Sequence, residues 1–198
     1  METLYHGTYR LFDHFDIAHL GEGEGKSKFG QGIYITSSYA TAVLYAAKAG
    51  KANGVDTFYV YTLEVPDLTE DNHVFSCRPV NPAIVKRVER ALSASIPEDA
   101  LSAGKLFRKY VGNLKVGRTG TVKQMTGKAD AEAENAASAF LRDQGIIYLA
   151  WPQAQTKPDG DTNRAVLDNT LIKIVRIDQV QVDAKNKLIA DSITEVKR

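Results

Sequence analysis

Strand-like segments stand at both ends of this chain and helix-like segments between them, an order that narrows the folds open to it. Residues 2–8 read as a short strand opening into a polar loop, followed by a glycine-rich stretch over 16–32. Residues 32–36 (Gly-Ile-Tyr-Ile-Thr) and 56–65 are rich in β-branched and aromatic residues and read as strands, the second ended by Pro66. Between them Ser37 or Ser38 can cap a helix running to Gly50, with Ala40, Val43, Leu44 and Ala47 along one side. The middle, about 80–144, has helical composition over 83–94, 98–112 and 130–143, with Pro82 and Pro97 where helices can start. Residues 113–128 read as a mobile Gly/Thr/Lys-rich connector. Strands return over 146–150, 163–168, 171–177 and 178–183. The pattern implies an α+β fold, one domain over 1–198 with a helical insertion.

Composition narrows the functional classes. A chain of 198 residues with 43% hydrophobic and 25% charged residues can bury a sizeable core, which excludes wholesale disorder. The net charge of +1 selects no partner by itself. The single cysteine, Cys77, cannot form an internal disulfide, and His6, His14, His19 and His73 lack metal-ligand spacing, so no metal is expected. There is no basic region followed by an apolar run at the N-terminus and no apolar stretch of about 18 residues. The expectation is a cytoplasmic protein with no membrane span.

Two segments carry the chemistry: Leu4-Tyr5-His6-Gly7-Thr8, and Phe29-Gly30-Gln31-Gly32-Ile33-Tyr34-Ile35-Thr36 followed by Thr41-Ala42 and Tyr45. Two tyrosine faces can hold a flat cationic ring by stacking and by attraction of their quadrupoles for positive charge. A glycine beside a histidine lets backbone approach a ligand closely. Together the segments resemble the catalytic core of the diphtheria-toxin-like and poly(ADP-ribose)-polymerase-like ADP-ribosyltransferases, over residues 2–65 and 140–177. The resemblance implies a split core of two small, largely antiparallel sheets packed face to face, with NAD⁺ as substrate in the cleft. It assigns His6 to a ribose hydroxyl, Gly7 and Thr8 to the cofactor-binding strand, and Tyr34 and Tyr45 to the nicotinamide ring. Such positioning matters because cleavage passes through an oxocarbenium-like state, for which geometry and electrostatics supply most of the catalysis.

The family's third catalytic residue is usually a glutamate on a late strand. Here Asn163-Arg164-Ala165-Val166-Leu167-Asp168 fits that strand and puts Asn163 at the glutamate position. Asparagine can hold a ribose hydroxyl but has no useful basicity, so polymer building is not expected while single transfer is. Asp161 filling the role, an inactivated chain, and an NAD-binding module without turnover all remain open.

Gly21-Glu22-Gly23-Glu24-Gly25-Lys26-Ser27 is one residue short of a P-loop, and its glutamates would repel phosphate. The resemblance places this loop near the NAD pocket, with Lys26 or Lys28 able to approach the pyrophosphate. Across 84–128 stand ten basic residues (Lys86, Arg87, Arg90, Lys105, Arg108, Lys109, Lys115, Arg118, Lys123, Lys128) against three acidic ones (Glu89, Glu98, Asp99). Such a segment could track a phosphate backbone or simply be a solvated helix surface. With the resemblance it implies a mono-ADP-ribosyltransferase toxin acting on nucleic acid, RNA foremost, with a protein acceptor as the alternative and an antitoxin as a further partner. A relative of the RNA 2′-phosphotransferases is the third reading.

Overall fold

A computed structural model describes residues 1–16, 29–127, 130–153 and 162–197. The fold is mixed α/β, with one eight-stranded, mostly antiparallel sheet. The strands are β1 (Glu2–Thr8), β2 (Ile33–Thr36), β3 (Phe58–Val65), β4 (His73–Phe75), β5 (Tyr148–Pro152), β6 (Thr162–Val166), β7 (Lys173–Val180) and β8 (Thr194–Glu195). They lie in the order β4-β5-β6-β2-β1-β3-β7-β8. The helices are α1 (Tyr39–Ala52), α2 (Pro82–Leu92), α3 (Glu98–Leu101), α4 (Gly104–Lys115), α5 (Val122–Met125) and α6 (Ala131–Asp143).

The expected pair of separate sheets is corrected by the strand pairing. β1 and β3 pair in register from Glu2↔Val65 to Thr8↔Tyr59, and β2 and β6 from Ile33↔Val166 to Thr36↔Asn163. Between β1 and β2 only Tyr5↔Thr36 pair. The division is therefore a seam in one sheet, not a gap between two: β4-β5-β6-β2 on one side, β1-β3-β7-β8 on the other.

The parallel pair β4–β5 explains the insertion. Parallel neighbours cannot be joined by a tight turn and need a long crossover, which α2 to α6 supply. Their apolar sides (Ile84, Val88, Phe107, Val111, Leu141) pack with Leu149, Trp151 and Ala165 of the sheet. α1 packs Ala42, Val43, Ala46 and Ala47 on Phe58, Val60 and Val180 of the other half. Directly opposed residues of neighbouring strands point to one face, so Tyr5, Thr36 and Asn163 share the helix-covered face. The far face buries Leu4, Ile35, Tyr61, Leu63, Tyr148 and Val166, with Phe15 from the loop after β1. Among the described residues no helix is long and apolar enough to cross a membrane.

Several boundaries differ from the sequence expectation for physical reasons. Gly50 is not a helix stop: it lies inside α1, where a Cβ would come within 2.5 Å of the Phe58 ring, and Asn53 caps the end. The helix expected over 98–112 breaks at Ser102-Ala103, and α4 opens at Gly104, where a Cβ would come within 2.4 Å of the Phe75 carbonyl oxygen. The connector expected to be mobile holds α5, with a Thr121/Gln124 capping box and a buried Met125. The two late strands expected over 171–177 and 178–183 are one, β7. Its pairing with β3 shifts between Thr62 and Leu63, skipping Val175, which stands 52% exposed. A bulge of that kind blunts a sheet edge.

Candidate functional site

The site is built on the seam. Where β1 and β2 part, the Tyr34 carbonyl meets a side chain in place of a strand: His6 Nδ1 lies 2.7 Å from it. A carbonyl only accepts, so Nδ1 carries the proton. Burial pushes the His6 pKa below its ordinary value, outweighing the opposing pull of that carbonyl. The ring is thus neutral at neutral pH, and Nε2 is left as an acceptor. On the far face the Phe15 ring meets His6 edge-on at 5.1 Å. Phe12 stacks on Tyr61 at 4.5 Å, and the Tyr61 hydroxyl accepts the Phe12 N–H at 2.7 Å. Asn169 Nδ2 donates to the Phe15 carbonyl at 2.7 Å. The loop after β1 is thereby bound over the imidazole.

A depressed histidine pKa makes the fold oppose protonation. Its contribution to stability is present above the ordinary value of 6.5 and is lost as pH falls through the lower folded value. Melting temperature followed against pH in wild type and His6→Gln is expected to converge towards acid, the wild type losing more as pH falls below 6.5. Parallel curves would show that His6 is not held neutral.

On the helix-covered face Tyr34, Thr36, Asn163 and Trp151 follow from the register Tyr34↔Ala165, Thr36↔Asn163 and Trp151↔Asn163. Asn163 is 3% exposed, and among the described residues its Oδ1 has no hydrogen-bond partner. A buried amide oxygen left so costs about 1–3 kcal/mol unless a ligand or water satisfies it. Nearby, Gln153 Nε2 donates to Thr41 Oγ1, tying the end of β5 to α1. The Tyr34 hydroxyl donates to the Gly30 carbonyl at 2.7 Å and accepts the Phe29 N–H at 3.3 Å. Its ring meets Trp151 edge-on at 5.3 Å, and Trp151 stacks on Phe29 at 4.2 Å. Burial pushes the Tyr34 phenol upward.

The remaining candidates are placed less tightly. A Cβ on Gly7 would fall 1.8 Å from the Ala42 carbonyl, so this glycine is required by the close approach of α1. Thr8 Oγ1 accepts the Arg10 N–H at 3.1 Å. Tyr45 stands 50% exposed on α1, and the ring meeting Tyr34 edge-on is Trp151, not Tyr45. His6 and Tyr34 meet only side chain to backbone, their rings turned to opposite faces. Asp168 caps the turn before β7, its Oδ1 accepting the Thr170 N–H at 3.0 Å. Asp161, Lys26 and Lys28 lie outside the described residues. Thr36 stands in the motif without an assigned role and Trp151 stands outside it: nothing in a lone strand marks which residue of a neighbour will stand beside it.

The basic insertion is less available than its composition implied. Arg108 forms a buried ion pair with Glu134. Arg118 pairs with Asp130 and Glu132. Lys109 Nζ donates to the Gly127 carbonyl, Arg87 donates to the Asp71 carbonyl at 2.7 Å, and Lys115 sits over the Phe140 ring. The acids that neutralise two of these arginines begin at Asp130, just past the basic run. Lys86, Arg90, Lys105 and Lys123 remain exposed. Among the described residues no His/Cys/Asp/Glu group could hold a metal ion. No family model, curated protein or solved structure matches the chain.

Proposed function

We propose that the chain cleaves NAD⁺ and transfers a single ADP-ribose to a macromolecule, with nucleic acid, RNA foremost, as the acceptor. One observation carries the reading: Asn163 Oδ1 is buried on the helix-covered face, beside Thr36 and Trp151, with no hydrogen-bond partner among the described residues. An acceptor of this kind suits a ligand that presents hydroxyl donors, as a ribose does. The aromatic surface of Tyr34 and Trp151 suits a flat cationic ring nearby. Tyr34 and Asn163 would face the bond that breaks from the helix-covered side, with Gly7, Thr8 and Tyr45 as the further NAD⁺-binding candidates, while His6, its ring on the opposite face, would act through its hydrogen bond to the Tyr34 carbonyl. Asn163 can orient a hydroxyl but cannot take a proton from the acceptor, which favours one transfer over chain growth. The same neutral amide favours the second reading, an NAD-binding module without turnover.

Incubation with adenylate-labelled NAD⁺ and whole-cell lysate tests the proposal. Nicotinamide should be released, and label should enter material degraded by nuclease. Label surviving nuclease but lost to protease would move the acceptor to protein. Binding without nicotinamide release would establish the second reading. Tyr34→Ala is expected to weaken NAD⁺ binding by about 1–3 kcal/mol, measured by calorimetry, and unchanged affinity would remove Tyr34 from the site.

The exposed cations give a separate test of the acceptor. Reversing Lys86, Arg90 and Lys105 to glutamate should weaken binding of a short RNA and reduce its salt slope by about 2–3. An equal slope would return the insertion to a solvated surface. Arg108 is unsuitable for such a test, since its reversal would leave two carboxylates facing each other in the core.

A further inference from the structure

Among the described residues the insertion buries four polar side chains; Asn113 donates to the Lys109 and Met125 carbonyls within it, and three remain. Arg108, Glu134 and Ser138 are 3%, 7% and 5% exposed, on α4 and α6, among Phe107, Val111, Ala137 and Leu141. A buried ion pair is usually matched or bettered in stability by apolar residues of similar size, so stability alone does not account for it. Arg108 and Ser138 lie against residues 29–31, and Glu134 holds Arg108 there through their ion pair. A Cβ on Gly30 would stand 3.0 Å from Arg108 Nη1, 3.2 Å from Ser138 Oγ and 2.3 Å from the Leu149 side chain, and Gly30 has φ +100°. Ser138 Oγ accepts the Gln31 N–H at 2.9 Å. The Gly30 carbonyl and the Phe29 N–H are the two groups bonded to the Tyr34 hydroxyl.

We propose that Arg108, Glu134 and Ser138 are positioning residues for Tyr34, clamping residues 29–31 so that the tyrosine ring is a fixed wall of the substrate pocket. The catalytic relevance rests on the NAD⁺ reading above; the clamp itself does not. The contacts run from α4 and α6 to the 29–31 backbone, and from that backbone to the phenol oxygen. Gly30 leaves no room for a side chain in this junction, and Phe29 is stacked on Trp151 at its other end. A loop held at three successive residues has few conformations left. Tyr34 then meets a ligand with its orientation already set, which lowers the entropic cost of binding.

The test uses the full chain with 3-fluorotyrosine at its nine tyrosines, the Tyr34 fluorine signal being assigned from Tyr34→Phe. The double variant Arg108→Met/Glu134→Leu removes the pair while keeping apolar volume, and Ser138→Ala removes one acceptor with less risk to folding. In both, the Tyr34 signal should shift and its titration midpoint should fall, by about one pH unit in the double variant, as water reaches the phenol. KM for NAD⁺ should rise about tenfold in the double variant with kcat changed less than about threefold. A merely structural role would lower the active fraction, reducing kcat at unchanged KM. An unmoved Tyr34 signal and midpoint in a folded Ser138→Ala protein would overturn the clamp. Absence of nicotinamide release from wild type would sink the functional reading alone, since the fluorine titration still decides the clamp.

Discussion

Asn163→Ala is expected to lower nicotinamide release by on the order of 10²-fold, the loss seen when one positioned hydrogen-bonding group is removed from a reacting centre. The side chain is buried on β6, opposite Thr36 and Trp151, and its Oδ1 has no partner among the described residues. Truncation should therefore cost little stability, since among the described residues no bond to that oxygen is lost. A melting curve within a few degrees of wild type, beside the loss of turnover, would separate chemistry from folding. Asn163→Glu should preserve or raise NAD⁺ cleavage, because a carboxylate better stabilises an oxocarbenium-like positive charge. If Asp161→Ala abolishes release while Asn163→Ala is silent, the third role belongs to Asp161. If neither variant changes release, the late strand has been aligned with the wrong residues.

Gly7→Ala is expected to be the most damaging single methyl in the chain's first strand. The added carbon would lie 1.8 Å from the Ala42 carbonyl oxygen, and neither the β1 backbone nor the α1 backbone is a flexible side chain that can step aside. Overpacking of this kind costs about 3 kcal/mol, and for a chain of this size the melting temperature should fall by about 6–12 °C. Gly54→Ala is the control. Gly54 has φ +69° with nothing within 4 Å, so only the left-handed backbone penalty of about 1–2 kcal/mol applies. Equal shifts in the two variants would show that α1 can move off β1. The glycine after His6 thus has a packing role that its place in the motif did not disclose.

Element types were legible in the sequence wherever local chemistry determines them. Ser38 caps α1 and Pro82 opens α2 behind Asn81, as side-chain oxygen and ring geometry dictate. The strands over 32–36 and 56–65 carry the β-branched and aromatic residues that suit a half-buried pleat. What escaped was decided by distant partners. β4 has three residues, too few for any period, and exists because β5 lies beside it. Gly50 looks like a helix stop until the Phe58 ring is known to press on it, and Gly104 looks like a helix interior until the Phe75 carbonyl is seen beside it. The charge of the insertion was misleading for the same reason: Glu134 and Asp130 neutralise arginines one helix away. At the site, His6 and Tyr34 were legible as a pair, but their link through a backbone carbonyl was not, because it depends on where two strands part.

That parting has a mechanical consequence. With one paired position between β1 and β2, backed by the His6–Tyr34 contact, the two halves of the sheet are coupled weakly compared with the couplings inside each half. The sheet then behaves as two stiff plates on a soft crease, and the crease should breathe before either plate does. Amide protons of β1 and β2 that face the crease would exchange with deuterium through these small openings, while those bonded to β3 and β6 wait for larger ones. A molecule lodged along the crease would act as a splint, slowing exchange there first. Ligands could accordingly be ranked by where they quiet the backbone, before any product is sought.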